Sequence, residues 1–226
     1  PNHLTTTTLA GISQQEIDLI KERCSDLDLL SVQLYGKIIE LPQQIKDFGW
    51  TGPYMVTEWG ATGHWEVPKT EWGAPIEENS TLKAANYLER FKVAIEADSL
   101  QCVGSYVFLW GQKQERTPTW YGVFLEDGSE TESVDVMHYV WNGVWPENRT
   151  PQVQSFTINN KTAYQNVVLE ANSSCSAMLN INDFENDKLN YDWEILPEST
   201  DLHDGGDFEN RPAAVEFTII SINEGE

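Results

Sequence analysis

The residues best placed to do chemistry lie in the run Tyr54-Met55-Val56-Thr57-Glu58-Trp59-Gly60. Four residues of strand-forming type lead directly into a carboxylate, an indole and a glycine, so Glu58 falls where a buried strand opens into a loop. A charged side chain in that position is costly unless it is paired or used. One reading makes Glu58 a catalytic carboxylate at a strand end; the other makes it a cap on the turn that follows. Two neighbouring apolar runs also end in aromatic residues: Val32-Gln33-Leu34-Tyr35 before it and Phe108-Leu109-Trp110-Gly111 after it.

The 226-residue chain has room for one large or two small domains, and its nine Trp, eight Tyr and eight Phe make it unusually aromatic. Aromatic faces beside polar groups suit the apolar face of a pyranose, although most such rings in any protein are core. Acidic residues outnumber basic ones 36 to 14, for a net charge of −22. Nucleic acid and anionic membrane surfaces are therefore repelled, while a neutral ligand is not. Cys24, Cys102 and Cys175 are too few and too scattered for a disulfide framework or a metal knuckle, and the settings of Cys24 and Cys102 predict buried thiols. No apolar run reaches the roughly 18 residues that read as a membrane span. The first residue is neither a Met nor part of a signal peptide, which suggests a piece of a longer product. Asn79, Asn148, Asn160 and Asn172 head glycosylation sequons, a weak signal at this length.

The elements that must position Glu58 follow from the hydrophobic pattern. His3 to Leu9, Leu27 to Tyr35, Tyr54 to Glu58 and Val103 to Trp110 read as strands. Between and after them lie four helical segments. Ser13 and Glu16 cap the first, and the second starts near Leu41 because Pro42 fits a first turn. Thr81 to Asp98 is the most regular, and Glu132 to Trp145 is the last. Alternation of strand and helix predicts a parallel sheet with helical crossovers, half of an eight-stranded barrel. A doubly wound sheet competes, but no glycine-rich phosphate turn follows the first strand. Pro146 to Pro151 reads as a linker. Beyond it, Val153 to Ile158, Val167 to Glu170, Cys175 to Ile181, Leu189 to Leu196 and Ala214 to Ile222 alternate as short strands of a β-sandwich.

With Thr57-Glu58-Trp59-Gly60 after an apolar strand and aromatic-ended strands on either side, residues 1–146 resemble the C-terminal half of the (β/α)8-barrel retaining glycoside hydrolases. The resemblance implies an α/β fold holding barrel strands five to eight, with Glu58 as nucleophile, Tyr35 as its hydrogen-bond donor and Trp110 as the floor of the cleaved subsite. Such an enzyme pairs an attacking carboxylate with a protonated carboxylic acid. The family's acid/base glutamate ends strand four, ahead of Pro1, and neither Glu16 nor Glu40 has a strand-end setting. The chain by itself is thus expected to be inactive, its partner being the missing N-terminal barrel half, and an open half-barrel is expected to self-associate through its edges. An arginine often assists in this fold, but none of Arg23, Arg90, Arg116 or Arg149 is placed by sequence to do so.

On the barrel reading the loops after the last two strands face the substrate. Trp65, Trp72, Lys113, Glu115, Arg116 and Trp120 are the expected contacts for an oligosaccharide or polysaccharide, with His64 a weaker candidate. No cofactor is called for. Residues 153–226, joined by 147–152, resemble the immunoglobulin-like or cadherin-like modules appended to such enzymes. Within them Asp183, Glu185 and Asp187 offer hard oxygens that suit Ca2+, yet the EF-hand loop is absent and a plain hairpin turn accounts for them. The acidic run Asp201 to Glu209 reads as a surface loop. The resemblance implies an extracellular or periplasmic glycosidase. A non-catalytic glycan-binding or adhesion protein is the alternative.

Overall fold

The computed structural model describes residues 3–203 and 206–222. The chain is mixed α/β and divides into two compact units, Pro1–Gly63 with Asn86–Trp110, and His64–Ala85 with Gly111–Glu226.

The first unit is built on four strands: β1 (Thr6–Ala10), β2 (Leu29–Gln33), β3 (Tyr54–Gly60) and β4 (Cys102–Phe108). They pair in parallel in the order β1-β2-β3-β4. Sequential order winds the chain one way across the sheet, whereas a doubly wound fold reverses direction at a switch point. Among the described strands no such reversal occurs.

Helix α1 (Gln14–Arg23) starts at Ser13, whose side chain accepts from the Glu16 N–H at 3.3 Å. Helix α2 (Leu41–Asp47) starts where Pro42 requires, after a 3-10 turn over Gly36–Glu40. Helix α3 (Ser80–Arg90) runs into a π-helical turn over Phe91–Glu96. Ile17, Ile38, Leu41, Ile45, Tyr87 and Ala94 from these segments are buried, as are Leu30, Val32, Tyr54, Val56 and Trp59 from the sheet. Cys24 is exposed, contrary to expectation, because Ile17 and Ile20 carry the buried stripe and Cys24 is the residue that ends the helix. Cys102 is buried as expected, and burial pushes its thiol up. On β4, Val103 and Tyr106 are exposed.

In the second unit helix α4 (Glu132–Asn142) is shorter than its apolar pattern, because Gly143 takes a φ of 75° and turns the chain out. The segment before β5 (Gln152–Ile158) is tied back to this helix: Thr150 N–H donates to Asp135 at 2.7 Å, and the Gln152 amide to Glu132 at 2.7 Å. Strand β5 pairs antiparallel with β6 (Ala177–Asn182). Where five strands of a sandwich were expected, the described residues there form only this two-stranded sheet. Residues 167–170, 189–196 and 214–222 form no regular strand, although Val215 N–H donates to Ile195 O at 2.8 Å. Alternation alone does not hold a strand; a packed face must cover it, and Tyr191, Ile195, Val215, Phe217 and Ile219 are exposed.

Candidate active site

Glu58 owes its orientation to an irregularity in β3. Val32 pairs with Val56, but the next residue of β2, Gln33, pairs with Glu58. On the other side Val56 pairs with Ser105 and Trp59 with Val107. Against both neighbours, β3 carries one extra residue between Val56 and Trp59. Such a bulge re-aims the side chains that follow it. Val56 and Trp59 both point into the fully buried core, where Trp59 lies 5.4 Å from the Tyr87 ring and 6.3 Å from Phe91. Glu58, one residue earlier, takes the opposite face, which it shares with Gln33.

Both carboxylate oxygens of Glu58 receive donors from the chain around β2. The Tyr35 hydroxyl donates to Oε1 at 2.5 Å, and the Gln33 amide donates to Oε2 at 3.3 Å. Leu34 N–H donates to the Glu58 carbonyl at 3.0 Å, which locks the two backbones at the same level. Tyr35 is held in turn by Phe108, whose ring meets it edge-on at 6.2 Å and 83°. One oxygen is thus gripped by a short bond to a phenol, and the other carries a long bond to a neutral amide. Oε2 is the more loosely held of the two oxygens.

The pairing of Glu58 with Tyr35 follows from the family resemblance; the Gln33 contact does not. The signal was present: Gln33 alternates with Ser31 on one face of β2, and a polar residue at the end of an otherwise apolar strand needs a partner. Trp110 follows the end of β4 by two residues and is half exposed. Because Gly60 pairs with Phe108, the backbone leading to Trp110 leaves the sheet beside the strand that bears Glu58.

The other expected contacts lie in the second unit. Trp65 and Trp72 are 57% and 55% exposed, open enough to stack on a ligand. Trp120 is 2% exposed, with rings of Tyr121 at 6.2 Å and His64 at 6.1 Å, so it packs within its unit and presents no free face. Lys113 pairs with Glu115 at 2.8 Å and also donates to Gly206 O at 2.6 Å. Arg116 adopts a positive φ of 64°, and its N–H donates to Glu209 at 2.7 Å.

Glu209 also accepts from His203 N–H at 3.0 Å and is 1% exposed. The run expected to be a plain surface loop therefore ends on a buried carboxylate that pins it to residues 113–116; Asp204 and Gly205 lie outside the described residues. A second carboxylate, Glu77, accepts from Lys83 Nζ, from Thr117 Oγ1 at 2.5 Å and from Thr119 Oγ1 at 2.8 Å. It joins the segments on either side of the long insertion in this unit.

The Asp183 carboxylate accepts the Asp187 N–H at 2.7 Å, closing a turn, and Glu185 accepts the Arg149 N–H at 3.3 Å. Among the described residues no group of three or more His, Cys, Asp or Glu side chains is arranged to hold a metal ion. No helix among them is long and apolar enough to cross a membrane.

Comparison with known proteins finds a structural similarity to a GH39 beta-xylosidase from Caulobacter crescentus, with a TM-score of 0.41 and 16% sequence identity over 64% of this chain. The match takes in 32% of that enzyme, so this chain spans about a third of its length. No protein-family model matches the sequence, and no curated protein does.

Proposed function

We propose that this chain carries the nucleophilic half of a retaining glycoside hydrolase acting on a neutral glycan, with Glu58 as nucleophile and residues 1–146 as part of a (β/α)8 barrel. The observation that supports it best is the pairing of Glu58 with Tyr35 and Gln33 at the C-terminal edge of a singly wound parallel sheet. In the proposed step, Oε2 of Glu58 attacks the anomeric carbon. The bond from that carbon to the leaving oxygen breaks, and the leaving group departs with the electron pair. Tyr35 keeps the carboxylate from rotating as Oε2 advances, and Trp110 floors the sugar ring.

The partners of Glu58 are a phenol and an amide, with no carboxylic acid between them. Glu58 is given the attacking role alone; the proton donor of such an enzyme stands about 5 Å away and is not a bonded partner. A substrate whose leaving group needs no proton isolates the part that Glu58 plays. With 2,4-dinitrophenyl β-xyloside and β-glucoside, the full chain should release dinitrophenolate, and Glu58→Gln should not, because an amide cannot attack. Equal release by the two proteins would end the reading. The exposed indoles of Trp65 and Trp72 favour a second reading, binding without catalysis, in which neutral oligosaccharides bind both proteins and neither releases dinitrophenolate.

A further inference from the structure

The ladder between β3 and β4 stops at the pair Gly60 and Phe108, and two side chains of α3 take over the polar groups left there. Tyr87 Oη donates to Phe108 O at 3.2 Å and accepts from the backbone N–H of Ala61. Farther along the same helix, Arg90 donates to Gly60 O at 2.6 Å from one guanidinium nitrogen and to Thr62 Oγ1 at 2.7 Å from the other. Both side chains are buried. The space between the strand ends is closed: a Cβ on Gly60 would stand 2.1 Å from Phe108 O and 3.0 Å from Tyr87 Oη.

Glu58 lies two residues before Gly60, and Trp110 two residues after Phe108. We infer that Tyr87 and Arg90 are positioning residues, which fix the ends of β3 and β4 against each other and so set where the Glu58 carboxylate stands relative to the Trp110 indole. The inference rests on Glu58 being the nucleophile. Its physical content is that strand-end groups otherwise left to water are held by rigid donors from a helix. Arg suits the task because its planar fork reaches two acceptors at fixed angles, which the single ammonium of Lys cannot do. Burial pushes the Tyr87 phenol up, so it remains a donor throughout the neutral range.

The test compares the full chain with Arg90→Lys and Tyr87→Phe, and with Ile20→Val as a variant weakened elsewhere in the same unit. The probe is a 2,4-dinitrophenyl 2-deoxy-2-fluoro-β-glycoside, which leaves a stable sugar ester on an attacking carboxylate. Arg90→Lys should slow labelling of Glu58 by about tenfold with the half-saturating concentration unchanged, since a small misplacement of the attacking group costs rate before binding. Amide hydrogen exchange should quicken over residues 58–62 alone. Tyr87→Phe should quicken it over residues 61 and 107–110, which decides the matter if Arg90→Lys does not fold. Ile20→Val should leave the labelling rate as it was.

Wild-type labelling in both α3 variants, or slowing matched by faster exchange across the whole unit, would overturn the inference. If the unaltered chain is not labelled at Glu58, the nucleophile assignment fails instead, and the exchange pattern alone decides the clamp: local change upholds it, uniform change removes it.

Discussion

The Tyr35 hydroxyl stands 2.5 Å from Oε1 of Glu58, from the segment just past β2 to the end of the neighbouring strand β3. A bond from a phenol to an ionised acceptor is worth about 1.5–3 kcal/mol. Here its effect is orientational, because the carboxylate otherwise turns about its last bond. Tyr35→Phe keeps the ring against Phe108 and removes only the donor. Glycosylation of Glu58 by an activated fluoroglycoside should slow by about 10- to 100-fold, with little change in the concentration that half-saturates it. A Phe variant as fast as the parent would show that the phenol does not orient the carboxylate.

Gly60 is the position where substitution has least room. Its missing Cβ would fall 2.1 Å from Phe108 O, a backbone atom that cannot swing aside. Gly60→Ala must push β3 and β4 apart, at a cost of about 1–3 kcal/mol. Urea denaturation followed by tryptophan fluorescence should show a midpoint well below the parent's. An unchanged midpoint would mean that the strand ends separate freely.

Glu77 and Lys83 form a largely buried ion pair in the second unit, with side-chain exposures of 21% and 10%. Glu77→Gln leaves the ammonium without its counter-charge and weakens two threonine bonds. The expected loss is about 1.5–3 kcal/mol, read as a lower midpoint in urea. A loss within about 0.5 kcal/mol would show the pair to be no more than a surface contact.

Asp28 accepts from Thr5 N–H at 2.7 Å and Thr5 Oγ1 at 2.8 Å, and these bonds, the backbone one first, hold its carboxyl below the usual value of 3.8. A carboxyl whose folded value is depressed contributes stability above its unfolded value and loses it as pH falls through the folded one. The parent should therefore exceed Asp28→Ala in stability at pH 7, and the difference should shrink as pH drops below about 4. Thermal melts of both proteins across this range check the sign. A difference that grew on acidification would contradict it.

Much of the first unit is legible in the sequence because β1 is a β-branched run and the other three strands are largely apolar runs, each closed by a turn or cap. Pro42 marked the start of α2, Ser13 that of α1, and the alternation of strand and helix gave the parallel order. The bulge in β3 was not legible. It depends on how β3 registers with two neighbours, and local pattern carries no information about register. Gln33 and Arg90 were missed for the same reason, since each is defined by a partner about 25 to 30 residues away. The second unit is less legible. Its alternating runs have the right period for strands, but nothing in the run 189–196 says whether a second layer covers it. Trp120 and Glu209 were misjudged alike: a tryptophan in a polar loop suggests a platform and an acidic run suggests solvent, yet both side chains are buried by segments distant in sequence.

The claim on which the account rests is that Oε2 of Glu58 forms a bond to sugar carbon. The most direct measurement is peptide mapping by mass spectrometry after treatment with 2,4-dinitrophenyl 2-deoxy-2-fluoro-β-xyloside and the matching glucoside. The account predicts one added fluorosugar per chain, located on Glu58 and absent from Glu58→Gln. No adduct with either reagent, or an adduct on another carboxylate that persists in Glu58→Gln, would contradict it.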